Sequence, residues 1–101
     1  MGTRLELHEI LCDILGARNV YFQPPESVMM VYPCIRYSRD TIDTKFADNT
    51  KYAYLMKYKV IAIDKDPDSD LMARVHGLDL CQHDRYYVAD GLHHDVFELY
   101  F

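Results

Sequence analysis

Tryptophan is absent from this chain, and glycine and proline are held to four residues each. So few backbone breakers exclude a collagen-like, low-complexity or disordered chain. Four glycines, placed mostly at turns, also leave no material for a Gly-rich phosphate loop, and no nucleophile-elbow pattern of Gly and Ser is present. Cysteine is scarce: Cys12, Cys34 and Cys81 are odd in number and widely spaced. That excludes a disulfide framework and fits free thiols in a reducing cytosol. Apolar runs long enough for a membrane span are missing. Arg4, Glu6, His8 and Glu9 stand where a signal peptide would carry its apolar stretch, so none is expected. A basic surplus is missing too. The net charge is −5 and the pI near 5.4. General nucleic-acid binding, which needs bases to neutralise phosphates, is thereby disfavoured. A surface that DNA slides past without sticking stays compatible.

What is present is a core. Half of the 101 residues are hydrophobic, and a chain of this length makes one domain that buries roughly 60–70% of its unfolded surface. Nine tyrosines suit half-buried strands and protein–protein contacts.

Thr3-Arg4-Leu5-Glu6 has the form of a capping box. Leu7, Ile10, Leu11, Ile14 and Leu15 follow at helical spacing, and Gly16 is the natural stop. Asn19–Gln23 reads as a short strand ended by Pro24-Pro25, and Tyr32–Ser38 as a second. Arg39–Lys51 is polar and reads as a long loop or a flexible hairpin arm. Ala53–Asp64 is the longest strand; Tyr54, Met56, Tyr58, Val60 and Ala62 share one apolar face, which we expect to lie under helices. Asp66 and Pro67 predict the N-cap and first turn of a second helix, with Leu71, Met72, Val75 and Leu78 facing inward. Leu80–Ala89 and Leu92–Phe101 read as a hairpin closed by Asp90-Gly91. This order predicts an α+β fold: a single domain over 1–101, with one mixed or antiparallel sheet of about five strands covered by two helices.

Candidate chemistry is sparse. Asp64, Asp66, Asp68 and Asp70 alternate like the start of a calcium loop. Such a loop needs Gly at its sixth position and Glu at its twelfth. Ser69 and Val75 occupy those places, so the acids read as helix caps. His83, His93 and His94, with Asp84 and Asp95, form the one cluster of acid–base or metal-ligand type. His93 and His94 are strand neighbours and point to opposite faces, whereas a metal needs converging ligands. Catalytic, cofactor and metal sites are therefore all expected to be absent. Phe97, Leu99 and Phe101 alternate to the chain end, either as a core strand or docked on a neighbour.

Two local patterns carry a resemblance. Asn19-Val20-Tyr21-Phe22-Gln23-Pro24-Pro25 leads into Tyr32-Pro33-Cys34-Ile35-Arg36-Tyr37. Asp84-Arg85-Tyr86-Tyr87-Val88-Ala89-Asp90-Gly91-Leu92-His93-His94-Asp95-Val96-Phe97 closes the chain. An N-terminal helix precedes them and Ile63-Asp64-Lys65-Asp66-Pro67-Asp68-Ser69 lies between. Together they resemble the tail completion or tail terminator proteins of tailed bacteriophages, over nearly the whole chain. The resemblance implies a structural subunit of a hexameric ring that caps the tail tube and joins it to the head connector. Its implied partners are copies of itself, the tail tube protein and the connector or stopper protein, with DNA passing through the lumen unbound. Its implied location is the tail–head junction of the virion, after assembly in the host cytoplasm. On this reading contacts come from Arg39, Asp43, Phe46, Asp48, Asn49 and Lys51 on the arm, and from Phe97, Leu99 and Phe101. A head-side neck protein that completes the head is the alternative. A small metal-dependent hydrolase using His83, His94 and Asp95 is a rival of another class.

Overall fold

The computed structural model describes residues 3–24, 29, 31–47, 50–66 and 68–101, with the backbone alone for 41–55. Helix α1 spans Arg4–Leu15. Its start follows the capping box: the Thr3 hydroxyl accepts from the Glu6 N–H at 3.2 Å. Its end follows Gly16, whose φ of 78° lets the N–H turn back to the Cys12 carbonyl.

Strand β1 (Val20–Phe22) pairs in parallel with β2 (Cys34–Ala47), and β2 pairs antiparallel with β3 (Thr50–Asp64). Helix α2 (Leu71–His76) then leads to β4 (Cys81–Ala89) and β5 (Leu92–Tyr100). β5 inserts beside β3, so the five-stranded sheet runs β1-β2-β3-β5-β4. It is a mixed sheet with two helices, the α+β fold that the sequence predicts. At the β4–β5 turn both Asp90 (φ 54°) and Gly91 (φ 73°) take positive φ, as a two-residue hairpin loop demands.

Both helices pack on one face. Leu7, Leu11 and Cys12 of α1 and Leu71 and Val75 of α2 share a buried cluster with Ile35, Tyr37, Tyr58, Val60, Ala62, Phe97 and Leu99. The expected apolar face of β3 is the central row of this core, with Met56 packed at its margin; the Tyr54 side chain lies outside the described residues. α1 is tied down further at Tyr37, whose buried hydroxyl meets His8 Nδ1 at 2.7 Å and Arg4 Nη1 at 3.3 Å. Arg4 also stacks over Phe22 at 4.3 Å. On the far face Cys34, Ile63 and Val96 are buried between polar neighbours.

The start of α2 differs from the expectation. The helix begins at Leu71, four residues after Pro67, and its first turn carries no acid. Before it, the Asp64 carboxylate accepts from the Asp66 N–H at 3.0 Å and Asp66 accepts from Asp68 at 2.9 Å. The acids cap a descending series of Asx turns and delay the helix. Met72, expected inward, is exposed, because a helix this short has room inside for Leu71 and Val75 only.

Candidate assembly surface

Of the two readings of Arg39–Lys51, loop or hairpin arm, the described residues form the hairpin. β2 runs unbroken to Ala47, β3 resumes at Thr50, and their pairing extends from Cys34–Ile63 out to Ala47–Thr50. β1 reaches β2 only at Ile35–Tyr37, and β5 reaches β3 only from Lys57 inward. Beyond those residues the two strands pair solely with each other among the described residues, as a ribbon that leaves the sheet. The molecule is accordingly 50 Å long but 24 by 23 Å across.

The root of the ribbon is built from charge. Lys57 Nζ lies 3.1 Å from Glu98 of β5 and 3.7 Å from Asp40 of β2. The hydrogen bond it donates to Glu98 holds the ammonium above its ordinary pKa. A register shift between Arg39 and Ile42 marks the same place, and a second falls between Lys45 and Phe46. Such bulges bend and twist a ribbon away from its sheet. Arg39 is exposed, and its N–H donates to Gln23 at 3.2 Å. Asp43, Phe46 and Lys51 fall on the ribbon backbone, and Asp48 and Asn49 lie outside the described residues.

Phe97 and Leu99, expected as contact residues, are 0% and 1% exposed and belong to the core. Their strand is interior to the sheet order, and both side chains belong to the cluster buried under the helices, which leaves them no surface for a partner. Phe101 packs partly against the same core and its N–H bonds to the Met56 carbonyl at 3.1 Å.

The sheet ends instead at β4. Every residue from Gln82 to Ala89 is exposed, including Tyr86, Tyr87 and Val88 in succession. Its inner side pairs with β5, while its outer side meets no strand among the described residues. The sequence suggests the strand but not this position, because strand order is not written in periodicity.

The histidines do not converge. His83 Nε2 sits 3.1 Å from Asp95. His93 bonds and stacks on Tyr86, on the helix side of the sheet. His94 stacks on Tyr87 on the far side, with its Nδ1 at the Leu92 carbonyl. Asp64, Asp66, Ser69, Tyr86, His93 and Asp95 border a cleft of about 300 Å³ beside α2. No three His, Cys, Asp or Glu side chains among the described residues are placed to hold a metal ion. Burial pushes the thiols of Cys12 and Cys81 up, and that of Cys34 up to about 11, the opposite of what a nucleophile needs. Among the described residues no helix is long and apolar enough to cross a membrane.

Comparison with models of known families, with curated proteins and with solved structures gave no match. The molecule itself defines its class: an α+β domain with one mixed sheet, helices on one face, a projecting ribbon and an open strand edge.

Proposed function

We propose that the chain is a structural subunit of a ring at the head–tail junction of a tailed bacteriophage. The ring caps the tail tube and offers the head connector a surface to join. The resemblance of its two sequence patterns to tail completion and tail terminator proteins supplies the system. The observation that carries the reading is the ribbon of β2 and β3 standing clear of the sheet. A two-stranded ribbon is marginal in water unless something packs on it, so a chain that keeps one is suited to binding a neighbour. Function is then steric and interfacial, with no covalent chemistry. Copies of the chain join by a head-to-tail contact that closes on itself. The tube protein lies on one side and the connector on the other, and DNA traverses the lumen unbound. The protein resides in the virion, having assembled in the host cytoplasm.

Electron microscopy of a lysate from phage lacking this gene tests the reading. Filled heads beside detached tails, normal or overlong, are expected. Empty or leaking heads beside normal free tails would move the protein to the head side of the junction. Intact infectious virions would remove it from the junction altogether.

A further inference from the structure

We infer that the outer edge of β4 is the acceptor for the β2–β3 ribbon of a second copy, so that one strand edge and one ribbon make the joint between subunits. The inference rests on the ring reading and adds the two surfaces that meet.

Each half is incomplete alone. β4 presents nine residues, with one bulge between His83 and Arg85 and a regular run from Arg85 to Ala89, whose outward N–H and C=O groups face no strand among the described residues. An open edge of that length is a template for another strand unless it is blunted. Its side chains invite contact rather than repel it, since Tyr86, Tyr87 and Val88 are 53%, 40% and 54% exposed. The other sheet edge, β1, is three residues long and offers little. The ribbon supplies the complement. From Asp40 to Ala47 the outer side of β2 lies beyond the reach of β1 and of the Gln23 side chain that takes the Arg39 N–H. That stretch spans about 26 Å at the usual rise per residue, close to the length of β4.

Charge favours the same pairing. The chain carries −5, yet the ribbon does not share the surplus. Arg39, Lys45 and Lys51 balance Asp40, Asp43 and Asp48. β4 is balanced as well, with Asp84 and Arg85 side by side. Two copies can therefore bring these segments together without the repulsion that the acidic turn or α1 would impose. Donor and acceptor are different parts of one chain, so the contact is heterologous. It propagates until the rotation closes a ring.

Two variants separate the halves. Replacing 43–55 by Asn-Gly keeps the Ile42–Met56 pair and removes the donor. The double substitution Tyr87→Lys and Val88→Lys charges the acceptor edge. Both changes fall on surface or ribbon residues, and circular dichroism with a thermal melt verifies that each variant folds. Sedimentation velocity is run on wild type, on each variant alone and on their equimolar mixture. The wild type is expected to associate in a concentration-dependent way, and each variant to stay monomeric. The mixture should form a one-to-one dimer and stop there, because the pair retains one good donor and one good acceptor. A ribbonless variant that still associates would point to β4–β4 pairing and overturn the inference. Association of the edge-charged variant alone would point to ribbon–ribbon pairing and overturn it equally. A mixture that stays monomeric while wild type associates also overturns it, yet leaves the ring standing on other contacts. If wild type stays monomeric at the highest soluble concentration and its β4 amides exchange freely, the inference fails, whereas a ring templated by the tail does not. Failure of the ring itself is read separately, in the lysate lacking the gene.

Discussion

At the scale of single residues, stability rests on a few positions whose roles differ in kind. At Gly16 nothing lies within 4 Å of where a Cβ would stand, so Gly16→Ala meets no clash. Its cost is the left-handed backbone alone, about 1 kcal/mol, readable as a lower urea midpoint at unchanged slope. Phe97 is the opposite case. It is fully buried and lies edge-on to His83, so Phe97→Ala should cost about 3–5 kcal/mol. A truncation that left the isolated protein's melt unchanged would return Phe97 to the interface. Cys34 gives a pH dependence. Its thiol is raised by burial from the ordinary 9.0 to about 11. Above pH 9 the unfolded chain releases this proton while the folded chain keeps it, so the folded state binds more protons and stability falls as pH rises. The stabilisation is whole below pH 9 and is lost as pH climbs through 11, with a slope from this group of about 1.4 kcal/mol per pH unit at most. Denaturant melts of wild type and Cys34→Ala from pH 8 to 11 measure it; equal slopes would show that the thiol is not withheld from solvent. Thiol reagents should likewise label Cys34 slowly until the protein unfolds.

Elements differ in how far their sequence announces them. α1 is legible end to end because its signals are local: Thr3 and Glu6 at the start, an apolar stripe at helical spacing, Gly16 at the stop. The β4–β5 hairpin is legible for the same reason, through Asp90-Gly91. α2 misleads, because Asp66-Pro67 resembles a helix start while the carboxylates are spent on Asx turns. The ribbon is half legible. Polarity sets Arg39–Lys51 apart from the core, but the segment has no period-two alternation of apolar and polar residues, so loop and hairpin look alike in sequence. The terminal strand shows the converse limit: Phe97 and Leu99 alternate as they would on a core strand or an exposed one. Only the insertion of β5 between β3 and β4 decides for the core. The β4 edge was out of reach for the same reason. One consequence belongs to the ribbon as an element. Among the described residues β1 pairs with β2 only as far as Tyr37 and β5 with β3 only from Lys57, so exchanging 43–55 for Asn-Gly should lower the melting temperature by no more than a few degrees, the equivalent of under about 1 kcal/mol. A much larger fall would make the ribbon part of the folding unit and disqualify it as an arm.

Across the whole molecule the charge is laid out unevenly, and that bears on the proposed passage of DNA. The acids gather on the helix side, at Glu6, Glu9 and Asp13 of α1 and along Asp64–Asp70. The open face of the sheet carries Arg36, Lys57, Lys59 and Arg85, and of these Lys57 is held by Glu98 and Asp40 and Arg85 is paired with Asp84. A ring around DNA can turn only one of these surfaces to the lumen. Basic side chains facing the duplex would displace counterions from phosphates and make it stick, whereas an acidic wall keeps it moving. On the proposed function the helix side therefore faces the lumen. Asp68 and Asp79 are exposed and accept no hydrogen bond or ion pair among the described residues, so Asp68→Lys with Asp79→Lys should leave the fold intact. Virions carrying that pair should assemble in normal yield and eject their genome more slowly, most clearly at low ionic strength, where screening is weakest. The matching reversal on the open face, Arg36→Glu with Lys59→Glu, should leave ejection unchanged. If the open-face pair alters ejection and the acidic pair does not, the sheet lines the channel, and the subunit sits in the ring the other way round.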